Sequence, residues 1–293
     1  MKNTIFETLT TLGLTSLETR EIFNDRTRDI EGLVVYRDSD SGVIYIEDFS
    51  TSDEIYEDGL YRDDIRVVHN LSEPNYEREK DLERRFNAFL PYVEGKNVLD
   101  FGCGHGDFLR KINADARSVC GVELQHDFIS YLNSVDIKCV NDLTMINDQS
   151  IDTCVSFHAI EHLDAPLETL SVLKQKIVPG GQIIIEVPHA NDYLLTTLKN
   201  EAFKNFTLWS QHLILHTRES LTLMLDKVGF DDVHIMGMQR YPLSNHLFWL
   251  INNKPGGHKS DLSVIDTDSL HSAYTESLAD IDATDTLVAI ARN

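Results

Sequence analysis

The sequence predicts an α/β fold: seven strands in a mostly parallel sheet, with helices on both faces. Three observations carry this expectation. From Lys96 onward, short apolar β-rich runs alternate with helical patterns. A glycine cluster, Gly102, Gly104 and Gly106, stands between the first run and the first helix. Acidic and polar residues then recur just beyond the ends of later runs, where ligands bind in open sheets of this kind. The length of 293 residues fits about two domains or one enlarged α/β domain.

Residues 1–74 read as an accessory segment. Positions 5–22 have helical spacing. The runs 33–36 and 43–46 flank a polar turn that ends in Gly42, which predicts a β-hairpin. Residues 47–64 are acidic, carry Tyr56 and Tyr61, and read as a loop or short helix. Positions 75–89 are amphipathic, with Leu82, Phe86 and Phe89 on one face and charges on the other, and Pro91 closes the helix.

The expected domain runs from 75 to 293. Its strands are 97–100, 118–123, 137–140, 152–157, 182–187, 233–238 and 286–291. Helices are expected at 108–113, 128–134, 167–177 and 220–228. Pro179-Gly180-Gly181 is expected to end the third of these, and Gly229 to cap the fourth. Residues 190–219 and 239–280 are left as inserts that form an acceptor site or lid.

Composition restricts function. The 26 Lys+Arg against 48 Asp+Glu give a net charge of −22, and no basic stripe is visible. Such a chain repels a phosphate backbone, so neither a nucleic acid nor an anionic membrane is expected as partner. No apolar run approaches the roughly 20 residues of a membrane span. Residues 1–11 lack the apolar core of a signal peptide, so the expected location is the cytoplasm. Cys103, Cys120, Cys139 and Cys154 form no C-x-x-C pair and read as reduced, mostly buried thiols.

Chemistry gathers at four strand ends. The turn after 97–100 reads G-x-G-x-G, with Asp107 where a dinucleotide fingerprint has a third small residue. A carboxylate there disfavours a pyrophosphate and favours a cofactor that carries positive charge. Glu123 ends the second strand, 19 residues after Gly104, and can accept both hydroxyls of a ribose. Asn141, Asp142 and Leu143 are placed to meet an adenine edge. Phe157-His158-Ala159-Ile160-Glu161-His162-Leu163 follows the fourth strand.

Together these residues resemble the class I S-adenosylmethionine-dependent methyltransferases over roughly residues 97–229, with the last strand completing the match. The resemblance implies a Rossmann-like fold and S-adenosylmethionine as cofactor. It places Asp100 near the methionine end, with Gly102, Cys103 and Gly104 along the cofactor. Glu123 would hold the ribose, and Asp142 and Leu143 would flank the adenine. Leu124 and Phe157 complete the expected cofactor set.

The region from Arg240 to His258 resembles methyltransferases of bacterial polysaccharide and sugar biosynthesis. That narrower likeness implies a small-molecule carbohydrate or nucleotide-sugar acceptor, with Trp209, Arg240 and His246 as candidate substrate contacts. Many such relatives begin with a zinc-binding Cys cluster, whereas no Cys precedes Cys103 here. Residues 233–260 contain no Asp or Glu, which would admit an anionic substrate or simply reflect an apolar segment. Tyr193, Phe203, Phe206 and Trp209 read as a lid or as a small core beneath the insert.

Methyl transfer to a hydroxyl needs alignment and removal of a proton. His158 and His189 follow strands and are candidate bases; His162 lies in the next turn. Each could instead position a ligand through a hydrogen bond. His158-x-x-Glu161-His162 matches an inverted zinc-peptidase pattern. That chemistry requires both histidines on a regular helix, and here they follow a strand, so no metal is expected. Rival readings are a methyltransferase of another small metabolite, a non-catalytic cofactor-binding subunit and an NAD-dependent oxidoreductase. Oligomeric state is open.

Overall fold

The computed structural model describes residues 4–50 and 76–293. Positions 51–64 of the acidic stretch, with Tyr56 and Tyr61, lie outside the described residues.

The chain opens with α1 (Ile5–Thr11), β1 (Arg20–Arg26), β2 (Glu31–Asp38) and β3 (Ile44–Tyr45). The helical spacing expected over 5–22 therefore holds only to Thr11. Gly13 at φ 73° leaves helical space, and 20–26 pairs with β2 instead. The hairpin forms as expected, with Tyr36 opposite Tyr45. Asp38 Oδ1 accepts from the Asp40 and Ser41 N–H groups and shapes its turn.

Helix α2 (Tyr76–Val93) runs through Pro91 instead of ending before it. Pro91 falls in the last turn, where one missing donor is tolerated, and Glu94 N–H still reaches Leu90 O at 3.0 Å. The βα alternation follows: β4 (Asn97–Phe101), α3 (Asp107–Ile112), β5 (Ser118–Val122), α4 (His126–Ser134), β6 (Lys138–Val140), β7 (Ile151–Phe157), α5 (Pro166–Lys176) and β8 (Ile177–Pro188). Then come α6 (Tyr193–Thr196), α7 (Glu201–Thr207), β9 (Ile214–Leu215), α8 (Arg218–Val228), β10 (Asp231–Met238), α9 (Leu243–Asn252), α10 (Asp268–Asp280) and β11 (Thr286–Arg292).

The sheet order is β10-β11-β8-β7-β4-β5-β6. Strand β11 runs antiparallel to both neighbours, and the pairs from β8 to β6 are parallel. This is the expected Rossmann-like fold with extra segments. Pro179-Gly180-Gly181 lies inside β8 and does not end the helix; α5 stops at Lys176 because Ile177 is already extended. The three residues bulge between the Ile151–Ile177 and Thr153–Gln182 pairs. A Cβ on Gly181 would sit 2.8 Å from Asp152 O. Gly229 caps α8 at φ 89°, as expected.

A second sheet has the order β1-β2-β3-β9, so the hairpin pairs with a strand of the 190–219 insert. Ile5, Leu9 and Ile44 share one core with Leu99, Ile183 and Leu287 of the large sheet. The opposite face, Val98, Val155, Ile184 and Val288, is covered by α2 and α3 through Phe89, Phe108 and Ile112. Cys103 is half-buried and the other three cysteines are buried, all unbridged. Among the described residues, no helix is long and apolar enough to cross a membrane.

Candidate functional site

The glycine turn after β4 is held open by backbone geometry. Gly102, Gly104 and Gly106 all have positive φ, at 74°, 52° and 65°. Gly102 is needed twice over, because a Cβ there would lie 2.6 Å from the Ala159 Cβ. Asp100 is 3% exposed at the end of β4, and burial pushes its carboxyl up to about 7. Cys103 Sγ lies 3.8 Å from Cys139 Sγ. That contact, together with burial, keeps the Cys103 thiol protonated.

Glu123 clasps this turn. Its Oε2 accepts from Gly104 N–H at 2.8 Å, and its Oε1 accepts from Leu124 N–H at 2.8 Å and Gln125 N–H at 3.0 Å. A carboxylate has about four acceptor sites, and three are taken, so about one remains for a ribose hydroxyl. Asp142 is exposed and caps the short turn Leu143–Met145 by accepting from Thr144 N–H at 2.6 Å. Leu143 and Leu124 are half-buried. Phe157 packs on Phe89 at 5.7 Å and edge-on to Phe108 at 5.1 Å, with Arg85 over its ring at 4.5 Å. Its ring thus belongs to the α2–α3 layer.

His158 follows β7 at φ 55°, an uncommon conformation for a residue with a Cβ. Arg240 Nη1 donates to its Nε2 at 3.2 Å, so its Nδ1 carries the proton and faces Glu161 Oε1 at 3.2 Å. Burial, then Arg240 and Arg85, hold its pKa well below the usual histidine range. His158 is therefore a neutral imidazole whose lone pair is already engaged. His189 is 1% exposed, and its Nδ1–H donates to Thr284 O at 2.9 Å. His162 donates from Nδ1 to Gln211 O at 2.7 Å.

The expected substrate contacts fare differently. Arg240 donates from Nε to Asp81 Oδ1 at 3.1 Å and from Nη2 to Asp81 Oδ2, so its fork is spent inside the protein. His246 is 3% exposed and bonded to the Tyr274 hydroxyl at 2.6 Å, and burial lowers its pKa to about 4. Trp209 is half-buried under Arg28, 4.6 Å from its ring, and beside His162 and His212. The acid-free stretch 233–260 is not an electropositive patch. Asp81 pairs with the Arg240 guanidinium, Asp285 accepts from the Arg240 backbone N–H, and Glu77 binds His258 and Lys259 at 3.0 Å each.

Sequence reasoning missed the charge network beneath His158. Glu186, fully buried in β8, accepts from Arg84 Nη1 at 2.8 Å and Arg85 Nε at 2.9 Å. Burial would raise this carboxyl, but Arg85 and Arg84 overcome it and hold the pKa at about 2. Arg84 also reaches Asp81 at 3.0 Å. The sequence places the charges of α2 opposite its apolar face, and of these Asp81, Arg84 and Arg85 turn inward. A Glu inside the apolar run 182–187 was the visible signal that a buried cation must face it.

The site thus joins a glycine turn, a clasping glutamate and a strand-end histidine at the carboxyl edge of the parallel strands. Comparison with known proteins agrees with that geometry. Residues 75–235, more than half of the chain, match the family described as methyltransferase domain. A tRNA U34 carboxymethyltransferase of Vibrio parahaemolyticus is 26% identical over 188 residues, 58% of this chain and 55% of that protein. One from Pseudomonas fluorescens is 27% identical over 155 residues, 48% and 47% of the two chains. The chain spans about half the length of these curated relatives.

Two solved structures share the fold. A SAM-dependent methyltransferase of Archaeoglobus fulgidus aligns at TM-score 0.53 and 22% identity over 80% of this chain and 99% of that one. The 1,6-didemethyltoxoflavin-N1-methyltransferase of Burkholderia thailandensis aligns at 0.50 and 13% over 86% and 94%.

The relatives' names overturn two expectations. They speak of tRNA modification and not of polysaccharide or sugar biosynthesis, so the carbohydrate acceptor loses its support. They also contradict the exclusion of a nucleic-acid partner. Net charge describes the average surface, and it could not decide what one site accepts. The chain belongs to the methyltransferase domain family, and its residues 75–235 are an S-adenosylmethionine-dependent methyltransferase domain.

Proposed function

We propose that this protein modifies tRNA by transferring a methyl group from S-adenosylmethionine or a carboxymethyl group from a carboxylated form of it. The observation that carries the reading is the shared name of the curated relatives, tRNA U34 carboxymethyltransferase. In this reading Glu123 holds the ribose, Asp100 faces the positive end of the cofactor, and Asp142 and Leu143 border the adenine. The acceptor enters over His158, beyond the ends of β4 and β7. His158 serves there as a neutral positioning group, because Arg240 holds its lone pair.

The test is transfer from methyl-labelled S-adenosylmethionine, and separately from its carboxylated form, into total tRNA. We expect label in intact tRNA and none after nuclease digestion beforehand. Label in no RNA fraction, from a preparation that binds S-adenosylhomocysteine, would exclude the tRNA reading and leave the cofactor assignment standing.

A further inference from the structure

His162 and Glu161 sit in a short helical turn, Ile160–His162, just beyond β7. The insert brings a third donor to the same point. Leu213 N–H bonds Glu161 O at 2.9 Å, which docks the segment 211–213 against that turn. Glu161, His162 and His212 each place a ligand-type atom within 4.8 Å of the others.

Two of these groups are incomplete. Glu161 is fully buried; its Oε1 faces His158, but its Oε2 has no hydrogen-bond partner. His212 Nδ1 is also buried without a partner. Orphaned acceptors of this kind are uncommon in a folded core and call for an explanation. Each ring holds one backbone hydrogen bond, as the second nitrogen of a metal-bound imidazole does. His162 donates Nδ1–H to Gln211 O at 2.7 Å, a carbonyl bond of the kind that orients a metal-bound imidazole. The His212 ring bonds the Thr207 backbone, which leaves its Nδ1 as the ligand nitrogen.

We infer that Glu161, His162 and His212 bind one divalent transition-metal ion, of the zinc type, beside the transfer site. Two imidazoles and a carboxylate are a donor set that suits such an ion, and three protein ligands leave a fourth position open. Bonds of about 2.1 Å place tetrahedral donors about 3.4 Å apart, so donors that lie within 4.8 Å of one another close by up to about 1.4 Å when the ion enters. Arg28, stacked on Trp209, adds an opposing positive charge near His212. The site adjoins the cofactor turn, since Ala159, two residues before Glu161, packs on Gly102. This differs from the peptidase pattern set aside above: His158 is no ligand, and the third donor comes from 50 residues further along. The inference does not depend on which acceptor is used.

The test uses the full chain, stripped with chelator and titrated calorimetrically with Zn²⁺, then loaded with Co²⁺ for absorption and X-ray absorption spectroscopy. We expect one equivalent of Zn²⁺, and imidazole scattering without sulfur around the Co²⁺. Loss of an outer-sphere partner typically costs 10–100-fold in metal affinity, so Glu161→Gln and His212→Gln should each weaken binding by more than ~100-fold. Binding that persists in folded variants, sulfur in the coordination sphere, or no binding by wild-type protein would each overturn the inference. If a variant fails to fold, the wild-type spectra decide. Binding of S-adenosylhomocysteine by the same preparation separates loss of the metal site from loss of the methyltransferase domain.

Discussion

Gly102 and Gly104 share a positive φ but not a neighbourhood. A Cβ at Gly104 meets nothing within 4 Å, whereas at Gly102 it meets Ala159 at 2.6 Å. Gly104→Ala should therefore cost only the left-handed penalty, about 1–2 kcal/mol. Gly102→Ala should add an overpacking cost of about 1–3 kcal/mol. Urea unfolding of both variants checks the order, and equal costs would mean that Ala159 yields freely. Glu123 accepts three backbone N–H groups around the same turn. Hydrogen bonds to a charged group contribute about 1.5–3 kcal/mol. Glu123→Ala should thus weaken S-adenosylhomocysteine binding by tenfold or more while far-UV circular dichroism is unchanged. An unaltered Kd would remove Glu123 from the cofactor site.

Helix α2 and strand β8 are joined by charge as well as by apolar packing. Arg84 and Arg85 bond Glu186, which has no contact with solvent. Removing one partner of a buried pair leaves the other uncompensated, at a cost of about 3–5 kcal/mol. Glu186→Gln should therefore destabilise the protein by that order in chemical denaturation. The pH dependence has a definite sign. The folded pKa of Glu186 is about 2 against an ordinary 4.5, so the folded state favours the charged form. Its contribution is complete above about 4.5 and is lost as pH falls toward 2. Melting temperatures between those values should drop steeply in the wild type and less in Glu186→Gln. Parallel curves would show that the pair contributes nothing.

The whole molecule carries 26 basic against 48 acidic residues, and its inner arginines are paired with Asp81 and Glu186. A tRNA would receive little long-range attraction from such a surface. Affinity in the proposed reading must then rest on short-range contacts with few phosphates. Proteins with six to ten phosphate contacts lose about 10³–10⁵ in affinity between 50 and 200 mM salt. For this protein the loss should be about tenfold or less, which corresponds to about two phosphates. Filter binding or anisotropy across that range measures it. A much steeper fall would reveal a concentrated cationic face.

The sequence by itself determined the βα alternation, the glycine turn, the hairpin and the Gly229 cap. Each depends on residue periodicity or on the backbone freedom of one glycine, and both are local properties. It also set Asp100, Glu123 and His158 at strand ends, since a strand end is read from the same alternation. Only the tertiary structure decided where long-range partners meet. Strand β11 inserts antiparallel between β8 and β10, and β3 pairs with β9 from the far insert. Arg84 meets Glu186 across 102 residues, and Arg240 meets Asp81 across 159. In sequence these were an amphipathic helix face and an acid-free loop. Their assignment changed because a buried charge selects its partner by position in the packed core, and no local spacing encodes that position.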